Sequence, residues 1–223
     1  MAGRYHTAER LVVKVGTGTL FEADGDGYRF LADQMNALVE EVAELSKGRQ
    51  VALVSSGAIA SAACEYGLEI PDDRYGKARL AGMGQPILMH RYLESFSKRG
   101  TRCAQCLITH DDMFSERRRK LRKVLDGYLS EGVVPIVNEN DTIATDDITF
   151  GDNDIMAAIL TRCIRADLLA MLSNAVEGLG TGGGLSKEEA RKILDKHGIP
   201  LEIINGRYEQ ESGVWKPKIR LLF

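Results

Sequence analysis

Cysteine, proline and aromatic residues are all scarce in this sequence, and neither sign of charge dominates. The 223 residues include four cysteines, too few for the disulfide framework of a small secreted domain. The formal net charge of -3 gives no general attraction to nucleic acid or to an anionic membrane. No apolar run approaches the roughly 20 residues that a transmembrane helix needs, and the N-terminus lacks the segments of a signal peptide. We therefore expect a cytoplasmic globular protein that binds neither membranes nor nucleic acids.

Two features resemble binding sites but are better explained by ordinary structure. Cys103 and Cys106 form a C-x-x-C pattern inside a predicted buried strand, where residues three apart point to opposite faces. Because no second cysteine pair completes a zinc site, we interpret them as core cysteines. The basic run from Arg117 to Lys123 has no interleaved aromatic residues, so we interpret it as a solvated helix face or a subunit contact.

Short β-rich runs alternate with longer segments of helical spacing along the whole chain. Strands are predicted at 10–15, 50–54, 102–109, 133–137, 167–172 and 201–204. Helices are predicted at 31–45, after Ala58, at 77–98 with a break or kink near Pro86, from Ser115 to about 132, from Asp152 onward, and from Ser186, where a capping box begins. This alternation predicts an α/β fold, in which helices cover both faces of a mostly parallel sheet.

Polar and glycine-rich segments follow several of the predicted strands, at the sheet edge where ligands bind in such folds. Lys14 leaves the first strand just before Gly16, so its ammonium group and nearby backbone N–H groups could hold phosphate oxygens. The alternative is a lysine that simply reaches solvent from a strand end.

A second glycine-rich stretch, 178–187, ends at Lys187 in the first turn of a predicted helix, where a lysine opposes the helix dipole. It is not a Walker A loop. It also matches G-x-G-x-x-G, but too few residues follow for a nicotinamide-binding domain, and an ordinary flexible loop is the other alternative.

Two acidic tetrapeptides carry the most information about function. Asn138-Glu-Asn-Asp141 follows an apolar strand, and Gly151-Asp-Asn-Asp154 opens a helix. A single carboxylate at a helix start is usually a cap, but seven acid or amide side chains exceed what capping needs. They suit a site that grips an ammonium group and that positions lysines or a magnesium–nucleotide complex. A calcium site is the rival interpretation, although the spacing does not fit an EF-hand loop.

Taken together, these segments resemble the amino acid kinase family, and within it the glutamate 5-kinase branch. The resemblance rests on six segments in family order: LVVKVGTGTL (11–20), VALVSSGAIASA (51–62), AGMGQPILM (81–89), the 133–160 segment with NEND and GDND, ADLLAML (166–172) and GLGTGGGLSK (178–187). It implies an αβα sandwich that phosphorylates the γ-carboxylate of glutamate with ATP and Mg²⁺.

The resemblance also implies a role for particular residues. Lys14 and Lys187 would neutralise the transferred phosphates, and Asp154 would hold both lysines in place. The implied glutamate site comprises Ser56, Gly57, Ala58, Asp141 and Asn153. The implied nucleotide site comprises Lys14, Gly16, Thr181, Gly182, Gly183 and Lys187.

The implied single domain has a glutamate-binding half at about 1–165 and a nucleotide-binding half at about 166–223, with no RNA-binding-like domain after it. Asn174 runs almost directly into Gly178, where family members have some tens of further residues. This indicates either a contracted nucleotide half or a sequence that omits a stretch. Proline inhibition and a dimer or tetramer are family expectations. The alternatives are a kinase for another acceptor, or a glutamate-binding regulatory protein with a disabled ATP lobe.

Overall fold

The computed structural model describes residues 5–25, 27–114, 116–144, 153–173, 184–206 and 218–223. Within these residues the strands are Arg10–Val15 (β1), Phe21–Asp24 (β2), Gly27–Phe30 (β3), Gln50–Ser55 (β4), Arg102–Ile108 (β5), Val133–Glu139 (β6), Leu168–Ser173 (β7) and Leu201–Asn205 (β8). The α-helices are Thr17–Leu20 (α1), Ala32–Ser46 (α2), Ala58–Tyr66 (α3), Arg74–Ser97 (α4), His110–Phe114 (α5), Arg117–Ser130 (α6), Asn153–Cys163 (α7) and Gly184–Asp195 (α8), and a short 3₁₀ helix spans Lys218–Leu222.

Six of these strands form one parallel sheet in the order β5-β6-β4-β1-β7-β8. β1 lies between β4 on one side and β7 on the other, and it pairs in parallel with both. The chain therefore builds the sheet outward from β1 in two directions. In sheets of this kind, ligands bind in the crevice beyond the carboxyl ends of the strands where the direction reverses. Here that crevice lies beyond the end of β1.

Side-chain alternation along β1 divides the core into two layers. Leu11, Val13 and Val15 pack into one buried cluster, together with residues of α2 and α4. Val12 packs into a second buried cluster, which contains residues of α6, α7 and α8. Because successive side chains of a strand point to opposite faces, the sheet is covered on both sides. The predicted αβα sandwich with a mostly parallel sheet is confirmed.

Helix α4 runs unbroken past Pro86, so of the predicted break or kink near this residue the break is wrong. A proline inside a helix costs about 3 kcal/mol, and tight packing of α4 against α3 and the sheet offsets that cost. Gly84 makes this packing possible. A Cβ atom at Gly84 would lie 1.7 Å from the carbonyl oxygen of Ala58 on α3, far inside contact distance.

The strand at 102–109 is present as β5, but it is not buried as predicted. β5 is an edge strand that pairs only with β6 in the described sheet, so Arg102, Gln105 and Leu107 are exposed. Cys103 and Cys106 are half-buried free thiols that pack against the two different core clusters. They therefore point to opposite faces, as expected, although the strand covers them incompletely.

Several short elements escaped prediction. The antiparallel hairpin β2–β3 has strands of four residues, and α1 and α5 are no longer than five residues, too short for a periodic pattern to develop. Helix α6 begins at Arg117, and Ser115, its predicted cap, lies outside the described residues. Among the described helices, none combines the length and the apolarity that crossing a bilayer requires.

Candidate active site

Two lysines and one aspartate meet beyond the end of β1. The alternation of β1 places Lys14 on the same face as Val12, the face that α7 and α8 cover. The Nζ atom of Lys14 forms an ion pair with Oδ1 of Asp154, in the first turn of α7. Lys187, in the first turn of α8, places its Nζ atom 3.2 Å from the other carboxylate oxygen. The predicted grouping of these three residues is therefore present, from elements far apart in sequence.

The carboxyl group of Asp154 stays charged in spite of its burial. Its side chain is only 1% exposed. Burial by itself would raise the pKa of Asp154, but the Lys14 and Lys187 ammonium groups and a hydrogen bond from Ser186 hold it below its usual value. Both ammonium groups therefore contact the same carboxylate at this edge of the sheet. Such a site is suited to phosphate oxygens.

Ser186 was predicted to cap a helix, but its hydroxyl makes a different contact. Its hydroxyl donates a hydrogen bond of 3.0 Å to Oδ2 of Asp154. α8 already begins at Gly184, so Ser186 lies inside the helix and is not the cap of a capping box. The hydroxyl instead helps to orient the carboxylate that holds the two lysines. The S-x-x-E spacing favoured a local role, whereas the observed partner is 32 residues away.

A second group of polar side chains centres on Asn153, the residue next to Asp154. The amide nitrogen of Asn153 lies 2.7 Å from Oγ of Ser56 and 3.1 Å from Oδ1 of Asn138. It also lies 3.3 Å from the carbonyl oxygen of Ser55. Strands β4 and β6 therefore present polar atoms to the start of α7. The predicted pair of Ser56 and Asn153 is brought together.

The turn after Ser56 depends on a glycine. Gly57 has a φ angle of +110°, in the region that residues with a side chain rarely adopt. A Cβ atom there would also lie 2.8 Å from the Phe21 ring, so the hairpin β2–β3 packs directly against the turn. Ala58 follows as the first, buried residue of α3. Gly16, at the end of β1, donates its N–H to the carbonyl oxygen of Leu172 at 3.3 Å.

Asp141 belongs to an acidic pair at the end of β6. It lies two residues beyond Glu139, a residue that is only 8% exposed. Burial, together with the nearby charge of Glu139, raises the pKa of Asp141 to about 6. A ligand with an ammonium group would relieve this repulsion and favour the charged carboxylate. Glu139 was predicted only as part of its tetrapeptide, and its burial is what distinguishes it.

Three predicted nucleotide-site residues, Thr181, Gly182 and Gly183, lie outside the described residues, as do Gly151 and Asp152. Their assignments stay predictions. Among the described residues, no group of three or more histidine, cysteine, aspartate or glutamate side chains is arranged to hold a metal ion.

The parallel sheet, with Lys14, Lys187 and Asp154 grouped beyond β1, defines an α/β protein with a site suited to phosphate groups. The chain belongs to the amino acid kinase family, since residues 9–205 match the sequence profile of that family. Solved structures with the same fold include the UMP kinase of Ureaplasma parvum, with a TM-score of 0.57 and 18% identity over 89% of this chain and 90% of the other. An isopentenyl phosphate kinase superposes with a TM-score of 0.63 and 16% identity over 91% of this chain and 94% of the other.

Several curated relatives of higher identity carry one name. The glutamate 5-kinase of Symbiobacterium thermophilum is 36% identical, over 92% of this chain and 91% of the relative. That of Streptomyces coelicolor is 38% identical over 92% of this chain, but the match covers 64% of the relative. That of Anaeromyxobacter dehalogenans is 46% identical over 77% of this chain and 45% of the relative. The chain therefore spans only about half to two thirds of the length of several relatives that it matches.

Proposed function

We propose that this chain transfers the γ-phosphoryl group of ATP to the γ-carboxylate of L-glutamate, giving L-glutamyl 5-phosphate and ADP. One observation carries the proposal. Asn153 and Asp154 are consecutive residues, and the first contacts Ser56 while the second pairs with Lys14 and Lys187. The polar group suited to an amino-acid substrate and the cationic group suited to phosphates therefore adjoin at the start of α7. The names of the relatives supply the particular acceptor.

The proposed reaction needs charge stabilisation more than proton transfer. A glutamate side chain has a pKa of about 4.3, so near neutral pH its carboxylate is already a nucleophile. One carboxylate oxygen attacks the γ-phosphorus atom, and the bond from phosphorus to the β,γ-bridging oxygen breaks. ADP leaves with the electron pair of that bond. The buried Lys14 and the more accessible Lys187 would offset the negative charge that gathers on the transferred group and on the leaving oxygen.

We assign glutamate binding to residues of about 1–165 and ATP binding to residues of about 166–223, with the nucleotide half contracted. The match with the Symbiobacterium relative spans 243 positions, whereas 92% of this 223-residue chain is about 205 residues. The relative therefore has some tens of residues without a counterpart here. A contracted nucleotide half would produce this difference, and so would a sequence that omits a stretch between Asn174 and Gly178.

We further propose that Mg²⁺ enters with ATP, because magnesium in kinase sites is bound largely through substrate phosphates. The carboxylate of Asp154 is committed to the two lysines, so we assign it no metal-binding role. The same resemblance leads us to propose a cytoplasmic enzyme of proline biosynthesis. Inhibition by proline and assembly into dimers or tetramers are part of that proposal.

An acceptor panel tests the proposal. ADP release from ATP would be measured with L-glutamate, L-aspartate, N-acetyl-L-glutamate and UMP as separate acceptors. We expect turnover with L-glutamate that exceeds turnover with each of the others. Faster turnover with another acceptor would make the chain a kinase of a different substrate. Glutamate binding without turnover on any acceptor would favour a regulatory protein with a disabled ATP lobe.

A further inference from the structure

A chain of buried hydrogen bonds links helix α4 to the turn that carries Ser56. The hydroxyl of Tyr92 lies 2.8 Å from Oγ of Ser55, and Oγ of Ser55 lies 3.0 Å from the carbonyl oxygen of Ser56. Both Tyr92 and Ser55 are fully buried. A carbonyl oxygen only accepts, so the single hydroxyl proton of Ser55 is donated to Ser56. Tyr92 must then donate its own proton to Ser55, which gives the chain one direction.

The same turn is held from the opposite side of the sheet. The Asn153 amide on α7 contacts the carbonyl oxygen of Ser55 and the hydroxyl of Ser56. The carbonyl groups of Ser55 and Ser56 therefore each have a side-chain partner, one on α7 and one on Ser55 itself. Ser55 holds the carbonyl oxygen of Ser56 from the α4 side, and Asn153 holds the Ser56 hydroxyl from the α7 side. The backbone that Ser55 fixes at Ser56 limits where the Ser56 hydroxyl can point.

The tyrosine hydroxyl is unusual in its surroundings. Tyr92 belongs to an apolar cluster and stacks with Phe96, at 6.4 Å between ring centroids. A phenylalanine would fill nearly the same volume without burying a polar group, which is costly unless that group is hydrogen-bonded. Burial also raises the pKa of Tyr92, so the hydroxyl remains a proton donor. Among the described residues, the only hydrogen bond of the Tyr92 hydroxyl is the one to Ser55, which leads to the turn that carries Ser56.

We propose that Tyr92 and Ser55 are positioning residues for the acceptor site. They orient the Ser56–Gly57 peptide and thereby the Ser56 hydroxyl, without touching the substrate themselves. This inference rests on the proposed function, in which Ser56 and Asn153 hold glutamate. Loss of one neutral hydrogen bond in this chain should raise the glutamate KM by about three- to tenfold, a range typical of such bonds. The ATP KM and kcat should change much less.

The test is a double-mutant cycle with Tyr92→Phe, Ser55→Ala and the combined variant. Glutamate KM, ATP KM, kcat and the thermal midpoint would be measured for each. Ser55→Ala leaves the tyrosine hydroxyl buried without its partner, so it should lower the thermal midpoint more than Tyr92→Phe does. The combined variant removes both polar groups and should recover much of that midpoint. Its glutamate KM should nevertheless stay raised.

A combined variant that recovers its thermal midpoint but not its glutamate KM distinguishes positioning from simple stabilisation. If the pair only stabilised the fold, the glutamate KM of the combined variant would return toward the wild-type value along with the midpoint. That result, or a glutamate KM within twofold of wild type in all three variants, would overturn the inference. Tyr75→Phe is the matched control, because Tyr75 lies on the same helix but is 67% exposed. Wild-type protein that fails to turn over glutamate would instead refute the proposed function.

Discussion

Replacing Asp154 with asparagine removes the negative charge between Lys14 and Lys187 while leaving the shape of the side chain almost unchanged. Lys14 is 6% exposed, so the variant removes the carboxylate that pairs with a buried cation. Breaking a buried ion pair in this way costs about 3–5 kcal/mol. For a chain of this length, each kcal/mol lowers the thermal midpoint by about 2–4 °C. We therefore expect a decrease of roughly 10 °C in the absence of ligands.

The effect on catalysis should be larger and more specific. Removing one preorganised charged group commonly lowers kcat by about 10²–10³, and Asp154→Asn disturbs two of them. Steady-state ADP release at saturating glutamate would measure this loss. The glutamate KM should change far less, because Ser56 and Asn138 keep their contacts with Asn153.

Two controls separate the buried cluster from ordinary surface charge. Lys187→Ala should reproduce the loss of kcat without a large loss of stability, because Lys187 is partly accessible. Lys192→Ala alters an exposed lysine on the same helix, paired with Glu188, and should leave both quantities nearly unchanged. If Asp154→Asn retained wild-type kcat within a factor of about three, the electrostatic reasoning would be refuted.

Two further predictions concern pH and packing. The pKa of Asp141 is raised to about 6, so its carboxyl group gains a proton as pH falls from 7 to 5. The glutamate KM should rise over the same range, and Glu139→Gln should shift this rise to lower pH. A KM that is flat over this range would contradict the assignment. The folded protein holds the Asp141 proton more tightly than the unfolded chain does. The contribution of Asp141 to the free energy of unfolding therefore falls as pH rises from about 4 to about 6. Gly84→Ala should lower the free energy of unfolding by about 3 kcal/mol or more, because its Cβ atom would strike a backbone carbonyl of α3. Gly127→Ala, in an open position on α6, should raise the free energy of unfolding by up to about 1 kcal/mol. If denaturant melts showed the same change for both glycine substitutions, the packing argument would be refuted.

The sheet was predictable from strong local patterns, whereas the lysine cluster also needed the resemblance to a family. β1 and β7 are short, nearly continuous apolar runs, as strands buried on both faces tend to be. Lys14 interrupts such a run two residues before Gly16, and Asp154 stands at a helix start, so both positions stand out. The resemblance to a family then related them to Lys187, which spacing alone does not do.

The remaining features depend on contacts that the sequence does not display. The Ser186 hydroxyl could cap a helix or donate to a distant carboxylate. Only the packing of α8 against α7 shows that its partner is Asp154. Tyr92 looks like any core aromatic residue until its hydroxyl is seen beside Ser55. The hairpin β2–β3 was missed because four-residue strands carry too little periodicity.

The central claim is transfer of phosphate to the γ-carboxylate of glutamate, and trapping the product tests it most directly. Hydroxylamine attacks an acyl phosphate and displaces phosphate, leaving a stable hydroxamate. Wild-type protein with ATP, Mg²⁺, L-glutamate and hydroxylamine should form γ-glutamyl hydroxamate as ADP accumulates, and Asp154→Asn should form very little of it. ADP release that depends on glutamate but gives no γ-glutamyl hydroxamate, or no ADP release with glutamate at all, would contradict the account.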